Sequence, residues 1–395
     1  MISFKDAFSR VMERVPSLKI RRLRLESAHR RIIAQDIYAS SDAPDFDKSV
    51  MDGFAVRFGD LKTRNPVLKI VEFIPAGFKP KKRLTKGTCA RIATGAVVPV
   101  GADLVVAKED ARIERNNTVL ICKKARRGEN IYRQASDFKK GALLLKKGQP
   151  LNMARVALLA SQGIRSVSVF QAPAVALLAT GDEIIEPGQK RRQGGVWNSS
   201  SPMLLDVLRT MNIKARYLGL AKDEQGDLLG RVKSGLKEDI LIITGAVSVG
   251  ERDLVPQVLK KAGVKILFHK VCIRPGKPVL FGSKGRHLVF GLPGNPVSTM
   301  VGFLVFIKPL LQRLCGVQKD FRLEEGILTK EVYNKSGRLS FLPATLKREN
   351  LVVPLAYSGS ADLLAAAGAD AFFVLAPNET RKPRNSRVKF LKIVE

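Results

Sequence analysis

From position 174 onward the chain repeats one unit: a short apolar run, a glycine-bearing loop, then a segment with helical spacing. Residues 174–179 end in Thr180-Gly181-Asp182-Glu183. Residues 239–244 end in Gly245-Ala246-Val247-Ser248-Val249-Gly250, and 288–292 end in Pro293-Gly294-Asn295-Pro296 before an apolar helix over 297–314. A helix over 202–211 leads to a strand over 214–220 that finishes near Asp223. Runs that are apolar throughout, without alternation, read as strands buried on both faces. Their alternation with helices predicts a parallel sheet covered by helices on either side.

The remainder reads differently. Ser3 followed by Asp6 is a capping-box pattern, and Phe4, Phe8, Val11, Met12 and Val15 recur at helical spacing. Between 45 and 151, β-branched runs at 68–73, 88–92, 104–108 and 118–122 are broken by glycine and proline, which predicts a small all-β domain. Residues 152–162 return to helix. Beyond Gly316 the pattern is again short strands and turns, ending in a strand over 387–394.

Several function classes recede. The segment 1–15 carries Asp6 and Glu13 and lacks the unbroken apolar centre of a secretory signal. The longest apolar stretch, 297–307, contains Ser298, Thr299 and Gly302, and is about half the ~20 residues needed to span a bilayer. No membrane association is expected. Cys89, Cys122, Cys272 and Cys315 form no CxxC pair and only three histidines are present, so no zinc constellation arises; such thiols read as packing residues and suit a reducing cytoplasm. A net charge of +32 raises nucleic-acid binding. Its basic clusters at 21–24, 79–83, 123–127 and 190–192 are dispersed and poor in aromatic residues, so a nucleic-acid partner is not the favoured reading.

Ligands of open α/β sheets bind beyond the carboxyl ends of the strands. Here those ends carry glycines, where backbone N–H groups approach a ligand closely, and each loop opens a helix whose N-terminus favours an anion. A phosphate-bearing ligand follows. Asp182, Glu183, Asp223, Glu251 and Asp253 crowd the same edge and would repel phosphate unless a hard cation intervened, as Mg2+ does with one or two carboxylates and phosphate oxygens. Helix N-capping is the alternative for any one of these acids. The segment 270–278, KVCIRPGKP, places Lys270, Arg274 and Lys277 around Pro275-Gly276, a rigid turn able to clamp an oxyanion. Two further strand ends, Met51-Asp52-Gly53 and Ala93-Thr94-Gly95, set a polar group beside glycine.

The ordered motifs SVMDGFAV, RIATGAVVP, GADLVVAKED, GENIYRQASD, LLATGDEIIEPG, TGAVSVGERD, IRPGKP and GLPGNPVS resemble the molybdopterin molybdenumtransferase family, which includes bacterial MoeA proteins and the gephyrin E domain. The resemblance spans nearly the whole chain and is weakest after Gly316. It implies a multidomain α/β plus β protein: an elongated linker domain (1–44 with 138–170), a small β domain (45–137), a molybdopterin-binding α/β domain (171–316) and a C-terminal β domain (317–395). It implies a cytoplasmic homodimer that takes adenylylated molybdopterin from an adenylyltransferase. With Mg2+, such an enzyme releases AMP, transfers molybdenum from molybdate, and supplies apo-molybdoenzymes downstream.

Matching positions imply roles. Asp52, Thr94 and Asp137 match polar site residues of the β domain, and Glu183, Asp223 and Asp253 match the acidic, metal-binding set of the α/β domain. Lys270 and Arg274 match its basic pair, and Ser360 matches a C-terminal-domain residue reaching in from the facing subunit. Thr180, Gly181, Asp182, Gly245, Ser248, Gly250, Pro275, Gly276, Lys277, Pro293, Gly294 and Asn295 fall in the ligand loops. The chain departs from the family pattern at Ala135, where glycine is usual, at Asn198 (aspartate), Ser200 (asparagine), Ala246 (glycine), Arg274 (lysine) and Ser358 (glutamine). Alternative readings are a catalytically weak paralogue that binds molybdopterin as a scaffold, a nucleic-acid-binding protein, and the adenylyltransferase itself, which the extra β segments and MDGFAV motif disfavour. Molybdenum and tungsten are not distinguished.

Overall fold

A computed structural model describes residues 1–245, 254–317 and 321–393. The chain forms two compact units: residues 35–147 with 152–165, and residues 1–34, 148–151 and 166–395. This division cuts through the segments expected to form a linker domain.

The first unit is built on a six-stranded sheet of β1 (Gly53–Val56), β2 (Val67–Ile74), β3 (Thr88–Ile92), β4 (Leu104–Ala107), β5 (Ala111–Glu114) and β6 (Thr118–Ile121), in the order β4-β1-β3-β2-β6-β5. Only β2 and β3 run parallel. Both faces are buried, as the period of two requires: Phe54, Val56, Leu104 and Val106 point into one cluster, Ala55, Ile92 and Val105 into the other. The expected strands are present, each within about two residues. Gly53 sits where a Cβ would lie 1.9 Å from the Val106 carbonyl oxygen, so β1 closes on β4 only with glycine there.

The second unit contains the predicted α/β sheet. Its strands are β7 (Val175–Thr180), β8 (Ala215–Ala221), β9 (Ile240–Gly245), β10 (Lys265–Phe268), β11 (Leu280–Lys284) and β12 (His287–Pro293), ordered β8-β7-β9-β12-β11-β10. The first four in that order are parallel, β11 runs against them and β10 runs against β11, so the sheet is mixed. Every residue of β7 is buried. Val175 and Leu177 pack on one face with α1 (Phe4–Met12), α2 (Ser200–Thr210) and α5 (Pro296–Leu314). Ala176 and Leu178 pack on the other face with α3 (Gln225–Gly235) and α4 (Val255–Lys261). The N-cap is formed: Ser3 Oγ accepts from the Asp6 amide at 3.0 Å and donates to Asp6 Oδ2 at 2.8 Å.

α5 corrects the estimate of apolar length. It runs 19 residues, long and apolar enough to cross a bilayer, because the helix continues past Lys308. Most of it is buried inside the fold, which makes it a core helix.

The C-terminal part closes into a barrel of β13 (Glu324–Leu328), β14 (Leu339–Lys347), β15 (Leu351–Pro354), β16 (Ala371–Leu375) and β17 (Arg387–Lys392), ordered β14-β15-β13-β17-β16 with β16 returning to β14. Leu328, Ala344, Val352, Phe373 and Phe390 fill it. Ile273–Arg274 adds to β14 in parallel, Arg274 opposite Ser340, which fastens the basic loop to the barrel.

Candidate active site

The order of the α/β sheet reverses between β7 and β9, since the chain leaves β7 for β8 on one side and returns to β9 on the other. A crevice opens at such a point, beyond the strand ends. Thr180 and Gly245 are those ends. They line a pocket of about 470 Å3 together with Arg191, Trp197, Asn198, Ser199, Ser200, Gly294 and Asn295. Gly245 holds φ +117°, and a Cβ on it would lie 1.8 Å from the Thr180 carbonyl oxygen. Any side chain there would push the two strand ends apart.

The acids at this edge are bound to one another. Asp223, half-buried, accepts from Thr180 Oγ1 at 2.8 Å and from the Asp182 amide at 3.3 Å, while its own amide donates to Asp182 Oδ1 at 3.2 Å. Glu183 is exposed next to them and packs beside Gly181. Asp253, Ser248 and Gly250 of the expected site, with Ala246 and Glu251, lie outside the described residues. Among the described residues no group of three or more His, Cys, Asp or Glu side chains is placed to hold a metal ion. The donors present are nonetheless all carboxylate oxygens, and Mg2+ needs only one or two from protein when a ligand supplies phosphate. Glu183 and Asp223 fit that requirement.

One wall of the pocket is the segment 182–198. Ile184–Ile185 pairs with Val196–Trp197, and the amide of Asn198 donates to the Ile185 carbonyl at 2.8 Å. Asn198 is buried: its Oδ1 accepts from the Ser201 amide at 3.1 Å, and its Nδ2 donates to Glu186 and, at 3.0 Å, to Tyr217 Oη. Tyr217 donates in turn to Glu186. Burial, reinforced by that carboxylate, pushes the Tyr217 hydroxyl up to about 12, so it stays a neutral donor. This departure from the family pattern therefore caps α2 and ties three elements together.

A second pocket, about 350 Å3, adjoins the first through Asn295. Arg274, Lys277 and Arg338 line it with Ser298, Tyr357, Gly359 and Ser360, and among the described residues no carboxylate does. Arg338 Nη1 donates to the Ile273 carbonyl at 3.2 Å, which anchors it against the Arg274 strand. Asn295 Nδ2 donates to Ser360 Oγ at 2.8 Å, and the Val297 amide donates to the Ser360 carbonyl at 3.2 Å. Ser360 of this chain thus meets Asn295 and Val297 at the edge of the pocket. Lys270 is not part of this lining; its carbonyl accepts from the Ile2 amide at 3.0 Å, and Lys277 and Arg338 supply the cations beside Arg274. Arg338 and Tyr357 carried no sequence signal, because both lie beyond Gly316 where the motifs thin out.

The β-domain residues form a local constellation of their own. Asp52 Oδ1 accepts from the Thr94 amide at 2.7 Å and from Thr94 Oγ1 at 2.8 Å, while Lys108 lies 4.0 Å from Oδ2. The Thr94 hydrogen bonds hold the Asp52 carboxyl below its ordinary value. Asp137 accepts from the Tyr132 hydroxyl. The thiols are unpaired, and burial pushes Cys89 up to about 12 and Cys315 to about 11, as packing residues require.

A mixed α/β sheet with a pocket at its switch point, a preceding β domain and a closing barrel match three family models in order. They are the MoeA N-terminal region (domain I and II) over residues 2–163, the probable molybdopterin binding domain over 176–313, and the MoeA C-terminal region (domain IV) over 325–393. The chain is similar to the molybdopterin molybdenumtransferase of Staphylococcus epidermidis, 34% identical over 96% of this chain and 92% of that protein, and to that of Staphylococcus aureus, 33% identical over 95% and 91%. Its fold matches the crystal structure of a molybdopterin biosynthesis MoeA protein from Pyrococcus horikosii over 100% of both chains, with TM-score 0.86 and 31% identity. This chain belongs to the molybdopterin molybdenumtransferase family of transferase enzymes, and its place is in molybdenum cofactor biosynthesis.

Proposed function

We propose that the protein transfers molybdenum from molybdate to adenylylated molybdopterin with Mg2+-dependent release of AMP, and that it does so as a cytoplasmic homodimer. The observation that carries this reading is the pair of adjoining pockets that share Asn295. The switch-point pocket, with Thr180, Gly245, Ser199 and Ser200, supplies backbone and hydroxyl groups suited to a phosphate-bearing pterin. The second, lined by Arg274, Lys277 and Arg338, suits the substrate molybdate, a tetrahedral dianion. Their contact brings an oxyanion beside the pterin without diffusion between sites. Glu183 and Asp223, with Asp253, would hold the divalent cation, which when bound neutralises charge on the phosphoanhydride. Asp182 and Thr180 orient Asp223 for that role.

The test is reconstitution from purified protein, adenylylated molybdopterin, molybdate and Mg2+, following AMP release and activation of a cofactor-free molybdoenzyme. AMP release that needs Mg2+ and falls at least about 100-fold in Asp223→Ala is expected. Tight molybdopterin binding with no AMP release would leave a scaffold.

A further inference from the structure

The basic cluster at 79–83 contains no aromatic residue, yet the fold presents two exposed phenylalanines at it. Phe73, 57% exposed, stands at the end of β2. Phe78, 64% exposed, sits on the turn that follows, its amide donating to the Pro75 carbonyl at 3.3 Å. The loop is pinned beside the strand. The Lys81 and Lys82 amides donate to the Glu72 carboxylate at 3.0 and 3.1 Å, and Lys82 Nζ donates to the Val71 carbonyl at 2.9 Å. Parallel pairing of β2 with β3 sets Arg91 opposite Phe73, its guanidinium 5.4 Å from the ring centroid. Residues 72–91 carry six lysines and arginines and one acid, Glu72, which those amides already occupy. Lone exposed apolar side chains are ordinary, whereas phenylalanines gathered in a field of one sign are not.

We propose that this surface is a docking site for an acidic protein segment that carries an apolar side chain. It belongs to the unit that holds neither of the two pockets described above. Phenylalanine and arginine ringed by lysines have the composition of a protein-binding patch. The rings offer apolar area, the guanidinium pairs with a carboxylate, and Lys79, Lys81 and Arg83 form a charged rim that steers the approach. Stacked on Phe73, Arg91 gives up less freedom when it pairs with a carboxylate. A second copy of this chain does not suit the surface, because two copies of so basic a patch repel. Single-stranded nucleic acid stacks on successive free aromatic faces, and here Arg91 already covers one face of Phe73.

The experiment is fluorescence anisotropy of labelled probes with the full-length protein at physiological ionic strength. The probes are a peptide of glutamates interrupted by leucine, poly-glutamate, and oligothymidylate. One variant combines Phe73→Ser with Phe78→Ser, and another combines Lys79→Glu, Lys81→Glu and Arg83→Glu. All five side chains are exposed, and thermal midpoints verify that each variant is folded. The peptide should bind the parent, about 10-fold more weakly the phenylalanine variant, and at least as weakly the charge variant. Poly-glutamate should lose affinity in the charge variant alone. Peptide affinity unchanged by loss of the phenylalanines reduces the surface to undirected charge and overturns the proposal. Oligothymidylate bound more tightly than the peptide, and lost with the phenylalanines, overturns it in favour of single-stranded nucleic acid. A parent that binds no probe overturns it outright. AMP release by both purified variants should equal the parent's, and a parent that releases no AMP bears on the proposed reaction and not on this surface.

Discussion

At Ala135 the backbone takes φ +58°, a left-handed conformation that costs an L side chain roughly 1 kcal/mol and that glycine adopts freely. The family pattern has glycine there, and the geometry gives the reason. Ala135→Gly should therefore raise the stability of the β-domain unit by up to about 1 kcal/mol, read as a shift of its denaturant midpoint; a lower midpoint would show that the alanine methyl packs usefully. Asp52 allows a test by pH. Its folded carboxyl titrates below the 3.8 of an unperturbed aspartate, so its contribution is present above that value and is lost as pH falls through the depressed folded value. Stability of the parent should fall more steeply below pH 4 than that of Asp52→Asn. Parallel acid profiles would refute the link. The Asp52–Thr94 pairing itself was half legible: both residues stand out beside glycines at strand ends, but their meeting depends on β1 lying next to β3.

Elements were readable where one signal sufficed. The all-apolar runs became the parallel strands because a strand covered on both faces has no polar side to show. The Ser3–Asp6 cap formed because its partners are three residues apart. α2 shows where this stops. Its start is fixed by Asn198, whose amide also reaches Glu186 and Tyr217, 12 and 19 positions away, and no local pattern announces such a knot. Asn198→Ala removes the cap and one donor to the Tyr217–Glu186 pair, so a loss of about 1 kcal/mol is expected, with weaker ligand binding at the Trp197 wall. Trp197 is the single tryptophan of the chain, so its emission reports on that wall directly. An unchanged midpoint and an unchanged emission spectrum in the variant would remove Asn198 from this role.

For the molecule as a whole, the homodimer is a statement about mass. Light scattering should return roughly twice the 43.4 kDa of one chain, and a monomer at micromolar concentration that still releases AMP would exclude it. The sequence alone determined the fold class and the acids and glycines at 180–183, 223, 245 and 293–295 that stand at the strand ends. These are local properties of runs and spacings, or of motifs short enough to be matched one by one. Tertiary structure alone decided that Arg338, Tyr357 and Ser360 join Arg274 and Lys277 in one pocket, and that Lys270 is not part of its lining. The physical reason is the pairing of Ile273–Arg274 with the start of β14, which closes a loop of more than sixty residues. Sequence spacing carries no record of such a contact, because its free energy comes from the barrel and the sheet being packed together first.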